Sequence, residues 1–394
     1  MRSYKEISYS SPMFQAILLI GQTYSVVLIG LIVGIFSARG LSVIDRGTLS
    51  ILLLIAQFCS RFGSLGFEQV IQRNGVGERI GSFYGAGLVG TFATFPIALI
   101  SISFTKISIL NTLFLVVIAA IISILRINVA LLVNQQKIKE LSYLNVSQAV
   151  SQLIFYALVF HTKSLTLFFA SWCINVTLFS IISIAIVNSR KSIVSIRKGI
   201  LSFHTYKNIW HEGFQYIGIA LPEMVTTFCL ELPIIRLVLG GVGAGLYTVS
   251  NTMTNIYYQM FVGISAISIK RKFSLPLKRI YILLLLICIV IIFISGPVLS
   301  LVFGHRYVSA SLYARVMLPV TWLLGVVRIQ QVSLNKMPSA KFQTISSCIL
   351  IGLIFLGIVV SQKYLVIWIA FSYIIFSVIS LIKFRSISDQ SRLT

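Results

Sequence analysis

The sequence predicts an all-α polytopic membrane protein, with twelve transmembrane helices in two six-helix lobes related by a pseudo-two-fold axis along the membrane normal. Three observations predict this class. The 394 residues are 57% hydrophobic, against about 45–50% in soluble domains. Only 10% are charged, against about 25%. Apolar runs recur along the chain at lengths near the 20 or so residues that a spanning helix needs. Together these exclude a soluble globular enzyme and a disordered chain. The net charge of +23 sits between apolar runs, so it points to the membrane surface and not to nucleic acid.

The spans expected in the first half are 13–37, 47–72, 80–104, 108–133, 141–161 and 165–188. Those in the second are 213–239, 245–268, 280–302, 310–332, 342–361 and 365–383. The first is too long for a cleaved signal and carries Gln15 and Gln22 one heptad apart. The second is the most polar of its half. Its Ser50, Gln57, Arg61, Ser64 and Glu68 recur at helical spacing and form one stripe on an otherwise apolar helix. Such a stripe faces a water-filled cavity or a partner, because charge in hydrocarbon costs at least about 2.5–3.5 kcal/mol. An internal Arg61–Glu68 pair, or a contact with another helix, is the structural alternative. Spans three to six hold one Asp, Glu, Lys or Arg between them, Arg126, close enough to a helix end to be an interfacial anchor.

Span seven carries Glu223, Glu231 and Arg236 together with Pro222 and Pro233, and proline interrupts a helix. Interrupted helices carry sites or hinges in transporters, so both glutamates can see a central space; the alternative is a kinked packing helix with Glu231 and Arg236 close to the outer surface. Arg236 reads as packing. Span eight is rich in amides and hydroxyls, with Asn251, Asn255 and Tyr258 on one face. These groups suit sugar hydroxyls and sugar faces, and equally ordinary interhelical bonding. Arg315 and Arg328 lie near the ends of span ten and read as anchors. The five cysteines lie inside apolar runs without CxxC spacing, as small buried hydrophobes.

Orientation follows from the loops. With the amino terminus inside, 21 of the 32 Lys and Arg fall on the inner side and 6 on the outer. Both termini are therefore expected in the cytoplasm. A basic connection, 189–212, separates an amino-terminal lobe (1–188) from a carboxy-terminal one (213–394). A shift that carries Gly47 onto Gly245 and Arg73 onto Arg271 lays each span of the first half near one of the second. Six is even, so the halves share orientation, as in transporters built from parallel repeats. The spans hold five arginines against three glutamates, so a cavity between the halves leans basic and suits an anion such as phosphate. No GxxxxGK[ST] occurs, and no zinc-type ligand spacing. The short outer segments leave no room for an extracytoplasmic catalytic domain. No enzyme activity and no cofactor are expected.

Four segments resemble one family. From Phe36 to Gly47, Ala38, Arg39 and Leu41 run toward a glycine that opens span two. Leu239, Gly240, Gly245, Tyr247, Ser250 and Asn251 resemble its junction between spans seven and eight. Phe303, Gly304 and Tyr307, with Ala314 and Arg315 beyond, resemble the stretch after span nine, although His305 stands where an acid is common. Lys336 to Lys341 resembles the short inner turn before span eleven. The family is that of Wzx-type O-antigen and polysaccharide flippases, within the multidrug/oligosaccharidyl-lipid/polysaccharide (MOP) exporter superfamily.

The resemblance implies a flippase in the bacterial cytoplasmic (inner) membrane, serving O-antigen and lipopolysaccharide biosynthesis. It would carry undecaprenyl-pyrophosphate-linked oligosaccharide from the cytoplasmic to the periplasmic leaflet by ion-coupled alternating access. Arg61, with Gln57 and Ser64, would meet the pyrophosphate. Asn251, Asn255 and Tyr258 would meet the sugars, and Glu68, Glu223 and Glu231 would carry a coupling proton or cation. Membrane lipids, a polysaccharide polymerase and a chain-length regulator would be its partners. The competing readings are a multidrug–cation antiporter of the same superfamily, which predicts an acidic cavity, and a membrane polysaccharide polymerase.

Overall fold

The computed structural model describes residues 12–64, 66–74, 79–94, 96, 109–135, 137–188, 200–214, 231–268, 277–333, 340–360 and 364–393. Within them the chain is helical, as the composition predicts. The α-helices are α1 (Pro12–Gly40), α2 (Val43–Gly63), α3 (Phe67–Asn74), α4 (Ile80–Ala93), α5 (Ile109–Asn134), α6 (Ile138–Val159), α7 (Leu165–Asn188), α8 (Phe203–Phe214), α9 (Glu231–Ser268), α10 (Leu277–Phe303), α11 (Ala310–Ser333), α12 (Ala340–Val360) and α13 (Leu365–Leu393). Among the described residues, eight helices are long and apolar enough to cross a membrane. The chain is a multi-pass membrane protein by that measure.

Most predicted spans coincide with one helix to within a few residues, although α13 continues to Leu393, past the predicted end of span twelve at 383. Three others depart. Span two is broken: α2 ends at Gly63 and α3 starts at Phe67. Span three is described only through α4, and span seven only from Glu231, so Glu223 and Pro222 lie outside the described residues. From Glu231 the helix continues into span eight as α9, with a kink where Gly240 takes φ 70°.

The chain divides into two compact units, residues 1–48 with 234–394, and residues 49–233. The first span thus groups with the second set of spans, and the helix of the linker groups with the first set. In the 49–233 unit, α5 packs on α3, α4, α6 and α7, and α8 packs on α3 and α4. Hydrogen bonds between helices hold its interior, as expected where lipid offers no hydrophobic drive for association. Tyr84 donates to the buried Asn128 Oδ1, Asn128 donates to Ser183 at 2.8 Å, and Asn175 donates to Gln152 at 2.7 Å. In the other unit, α11 packs on α10 and α13, and α12 on α13. Phe293, Leu301 and Val359 are at least 75% exposed there, the pattern of side chains that face acyl chains.

Candidate functional site

The polar stripe of the second span folds into an ion cluster. Arg61 stands in the last turn of α2, about 27 Å along the axis from Val43. That is nearly the hydrocarbon thickness of about 30 Å, so Arg61 lies toward the far end of the helix and not midway along a span. The chain then turns through Ser64 and Gly66. Gly66 has φ 77°, a backbone state that L side chains rarely adopt, and a Cβ there would strike the Gly213 carbonyl. Only glycine meets both conditions. The turn starts α3 and puts Glu68 in its first turn.

Glu68 is held from two sides. Arg126 of α5 donates through Nε to its Oε1 at 2.6 Å. Arg61 approaches its Oε2 at 3.9 Å, with only 10% of its side chain exposed. The short bond from Arg126 has the length of a charge-assisted hydrogen bond, whereas the Arg61 distance is at the limit of an ion pair. Two guanidiniums and one carboxylate leave a net charge of +1 beside an apolar interior. Arg126, expected to anchor at an interface, is instead the main partner of Glu68. Arg61 and Glu68 do pair, as the structural alternative had it, although across a helix break and not along one helix.

The other sequence candidates fall as follows. Ser64 is buried and donates to the Ser60 carbonyl at 2.9 Å, and Gln57 is half-buried on α2. On α9, Asn251 and Tyr258 are half-buried and Asn255 is exposed. Asn251 Oδ1 accepts from Thr254 at 3.3 Å, and Asn255 Oδ1 accepts from Gln259 at 3.3 Å. Glu231, at the start of α9, is 2% exposed.

Three of the segments that carry the family resemblance meet in the 1–48/234–394 unit. Arg39, in the last turn of α1, donates to the carbonyls of Val302 at 3.0 Å and Leu301 at 2.6 Å, at the end of α10. Arg306 returns the bond, donating to the Ala38 carbonyl and to that of Arg39 at 3.0 Å. Arg39 therefore caps the carboxy-terminal carbonyls of α10, and Arg306, in the turn just after α10, caps those of α1; such carbonyls have no partner within the helix and favour a cation. Tyr307, fully buried, donates to the Ala38 carbonyl at 3.2 Å, and burial pushes its phenol above the usual tyrosine range. Beneath them Gly47 and Gly245 approach so closely that a Cβ on Gly47 would lie 2.7 Å from the Gly245 nitrogen. These motifs build a packing joint.

No family model and no curated protein matches this sequence. Solved structures do match its fold. An inward-facing multidrug resistance MATE family transporter of the MOP superfamily superposes with a TM-score of 0.67 at 12% identity, covering 96% of this chain and 99% of that one. The lipid II flippase MurJ, in an inward closed conformation, superposes with a TM-score of 0.67 at 14% identity, covering 95% and 91%. An outward-facing MATE transporter of the same superfamily gives 0.57 at 12% identity, covering 96% and 95%. The chain thus has the all-helical fold of these transporters, which are built from two six-helix lobes.

Proposed function

We propose that this chain is a membrane transporter that moves an anionic, lipid-linked saccharide between leaflets, specifically an undecaprenyl-pyrophosphate-linked O-antigen or polysaccharide repeat unit. The observation that carries this is the net-positive Arg61–Glu68–Arg126 cluster in a chain with the fold of a lipid II flippase. A glycan bearing a pyrophosphate loses too much hydration to cross hydrocarbon unaided. A guanidinium offers it a planar fork that stays charged at any physiological pH. Arg61, supported by Gln57 and Ser64, attracts the pyrophosphate, and Asn251, Asn255 and Tyr258 contact the sugars. Glu68, Glu223 and Glu231 couple a proton or cation to alternating access. For Glu68 this coupling acts through making and breaking its bonds to the two arginines. The two sets of six spans are the moving lobes, the membrane is the bacterial inner membrane, and both termini are cytoplasmic.

The rival reading, a multidrug–cation antiporter, has the MATE superpositions behind it. An organic cation calls for carboxylates in excess of arginines, and the described cluster has the opposite balance. The test is transport in proteoliposomes with R61A and R61K. R61A should cut flipping of a diphosphate-linked substrate at least tenfold, and R61K should keep an intermediate rate because lysine retains the charge but not the fork. Unchanged transport at normal expression removes Arg61 from the site. Transport indifferent to pH and to E223Q ends the coupling role.

A further inference from the structure

The joint between α1 and α10 carries positive charge without a matching acid. Arg39 and Arg306 meet there, since Arg306 donates to the Arg39 carbonyl at 3.0 Å. A guanidinium carries five N–H donors. Arg39 spends two of them, one from Nε and one from Nη2, on the carbonyls of Val302 and Leu301. Arg306 spends the two on its Nη2, on the carbonyls of Ala38 and Arg39. Capping accounts for those donors and leaves the rest of each fork without an acceptor among the described residues. Both arginines are exposed.

Nor does a carboxylate neutralise them. Arg61, Arg79 and Arg126 each face a glutamate, whereas neither Arg39 nor Arg306 has such a partner among the described residues. Asp45, the acid nearest to Arg39 in the chain, accepts from Ser42 at 2.7 Å, in the first turn of its own helix, and its charge acts on Arg236. Arg46 instead adds a third positive charge near Tyr307. Arg39 and Arg306 are two of the six basic residues expected on the outer side, where the loop-charge bias gives no reason for a cation.

The same joint borders bare apolar surface. Arg39 Nη2 lies 2.6 Å from the carbonyl of Leu301, whose side chain is 78% exposed. Val308 and Leu312, about one helical turn apart where α11 begins, are 41% and 64% exposed. A charged fork beside bare leucine suits a molecule with an anionic head and apolar chains.

We propose that this joint binds one anionic phospholipid, its phosphate on Arg39 and Arg306 and its acyl chains along Leu301 and Leu312. The guanidinium fork matches phosphate oxygens in pairs, and basic residues at a membrane surface attract anionic lipid. A zwitterionic lipid brings its own ammonium to the same phosphate and gains less. A free phosphate or an acidic peptide would satisfy the charge and leave the leucines uncovered. The proposal does not depend on what the protein transports.

The test is native mass spectrometry of the full chain, released from detergent with dioleoyl phosphatidylglycerol or dioleoyl phosphatidylethanolamine. R39Q/R306Q keeps amide donors for the helix-end carbonyls and removes both charges. S309D keeps both arginines and adds a carboxylate just beyond Arg306. Ser309 is exposed immediately before α11, where aspartate is a favoured cap, so the change burdens folding little. Each variant should retain one phosphatidylglycerol fewer than the wild type, with retained phosphatidylethanolamine unchanged. The wild-type site should prefer phosphatidylglycerol by about tenfold, as two basic residues at a membrane surface suggest. An unchanged phosphatidylglycerol count in R39Q/R306Q overturns the site. A loss there that S309D does not reproduce also overturns it, because the uncapped joint then explains the loss. Equal loss of phosphatidylethanolamine removes the charge preference on which the proposal stands. Displacement of the lipid by millimolar inorganic phosphate would make the joint a small-anion site and overturn the phospholipid.

Discussion

Replacing Arg126 with methionine removes the shorter of the two bonds to Glu68 and keeps most of the side-chain volume. The carboxylate is then left with Arg61 alone, at 3.9 Å. Removing one partner of a buried pair costs about 3–5 kcal/mol, and a hydrogen bond to a charged group contributes about 1.5–3 kcal/mol. Glu68 and Arg126 keep 23% and 21% of their side chains exposed, so the lower part of the range applies, about 2–3 kcal/mol. For a unit of this size that lowers the melting temperature by about 5–10 °C. The companions are E68Q and E68Q/R126M, which complete a double-mutant cycle on the Glu68–Arg126 bond. The double variant takes the carboxylate from Arg61 as well, so it should be no more stable than R126M, and the two single losses should exceed the double one by a coupling of about 1–2 kcal/mol. Thermal melting of the purified proteins in detergent reads both quantities. An R126M protein that melts within about 1 °C of wild type, or single effects that simply add, would refute the claim that Arg126 holds Glu68.

Three further outcomes are expected. G66A places a Cβ against the Gly213 carbonyl at a positive φ, so the yield of monodisperse protein should collapse, as measured by size-exclusion chromatography, whereas the open position Gly352 should tolerate alanine. R39A and R306A each uncap a helix end and should each cost about 1–2 kcal/mol; R306K should recover only part, because one ammonium does not reproduce the fork that reaches both the Ala38 and Arg39 carbonyls. Y206F loses the bond to the Ile200 carbonyl but keeps the ring and should leave α8 seated, whereas Y206A empties the seat on Gly85 and should speed tryptic cleavage after the exposed Lys207 severalfold, read by timed digestion.

Hydrophobic run length located the helices well, because a membrane fixes span length and forbids unpaired backbone in lipid. The break in span two was signalled by Gly63 and Gly66, yet the polar stripe keeps helical spacing across it and masks the turn. Arg126 looked like an anchor because one-dimensional depth was its only visible property. Its partner Glu68 is remote in the chain, and such a pairing has no local signal. The linker looked like a basic connection because its lysines and arginines dominate its composition. Tyr206, Ile209, Trp210 and Gly213 nevertheless recur at helical spacing, and Tyr206, Ile209 and Gly213 form the buried face of α8. The family-like segments around Ala38, Gly245 and Tyr307 were legible as motifs, while their role as a joint of crossed helix caps needed the fold.

The most direct test of the transport claim offers two cargoes to the same reconstituted protein. Proteoliposomes would carry either a fluorescent undecaprenyl-diphosphate oligosaccharide, with lectin access reporting leaflet exchange, or an organic cation with an opposing proton gradient. The basic Arg61–Glu68–Arg126 cluster predicts leaflet exchange of the glycolipid and no cation flux above empty liposomes. Cation flux driven by the gradient, with the glycolipid left on its starting side, would contradict it.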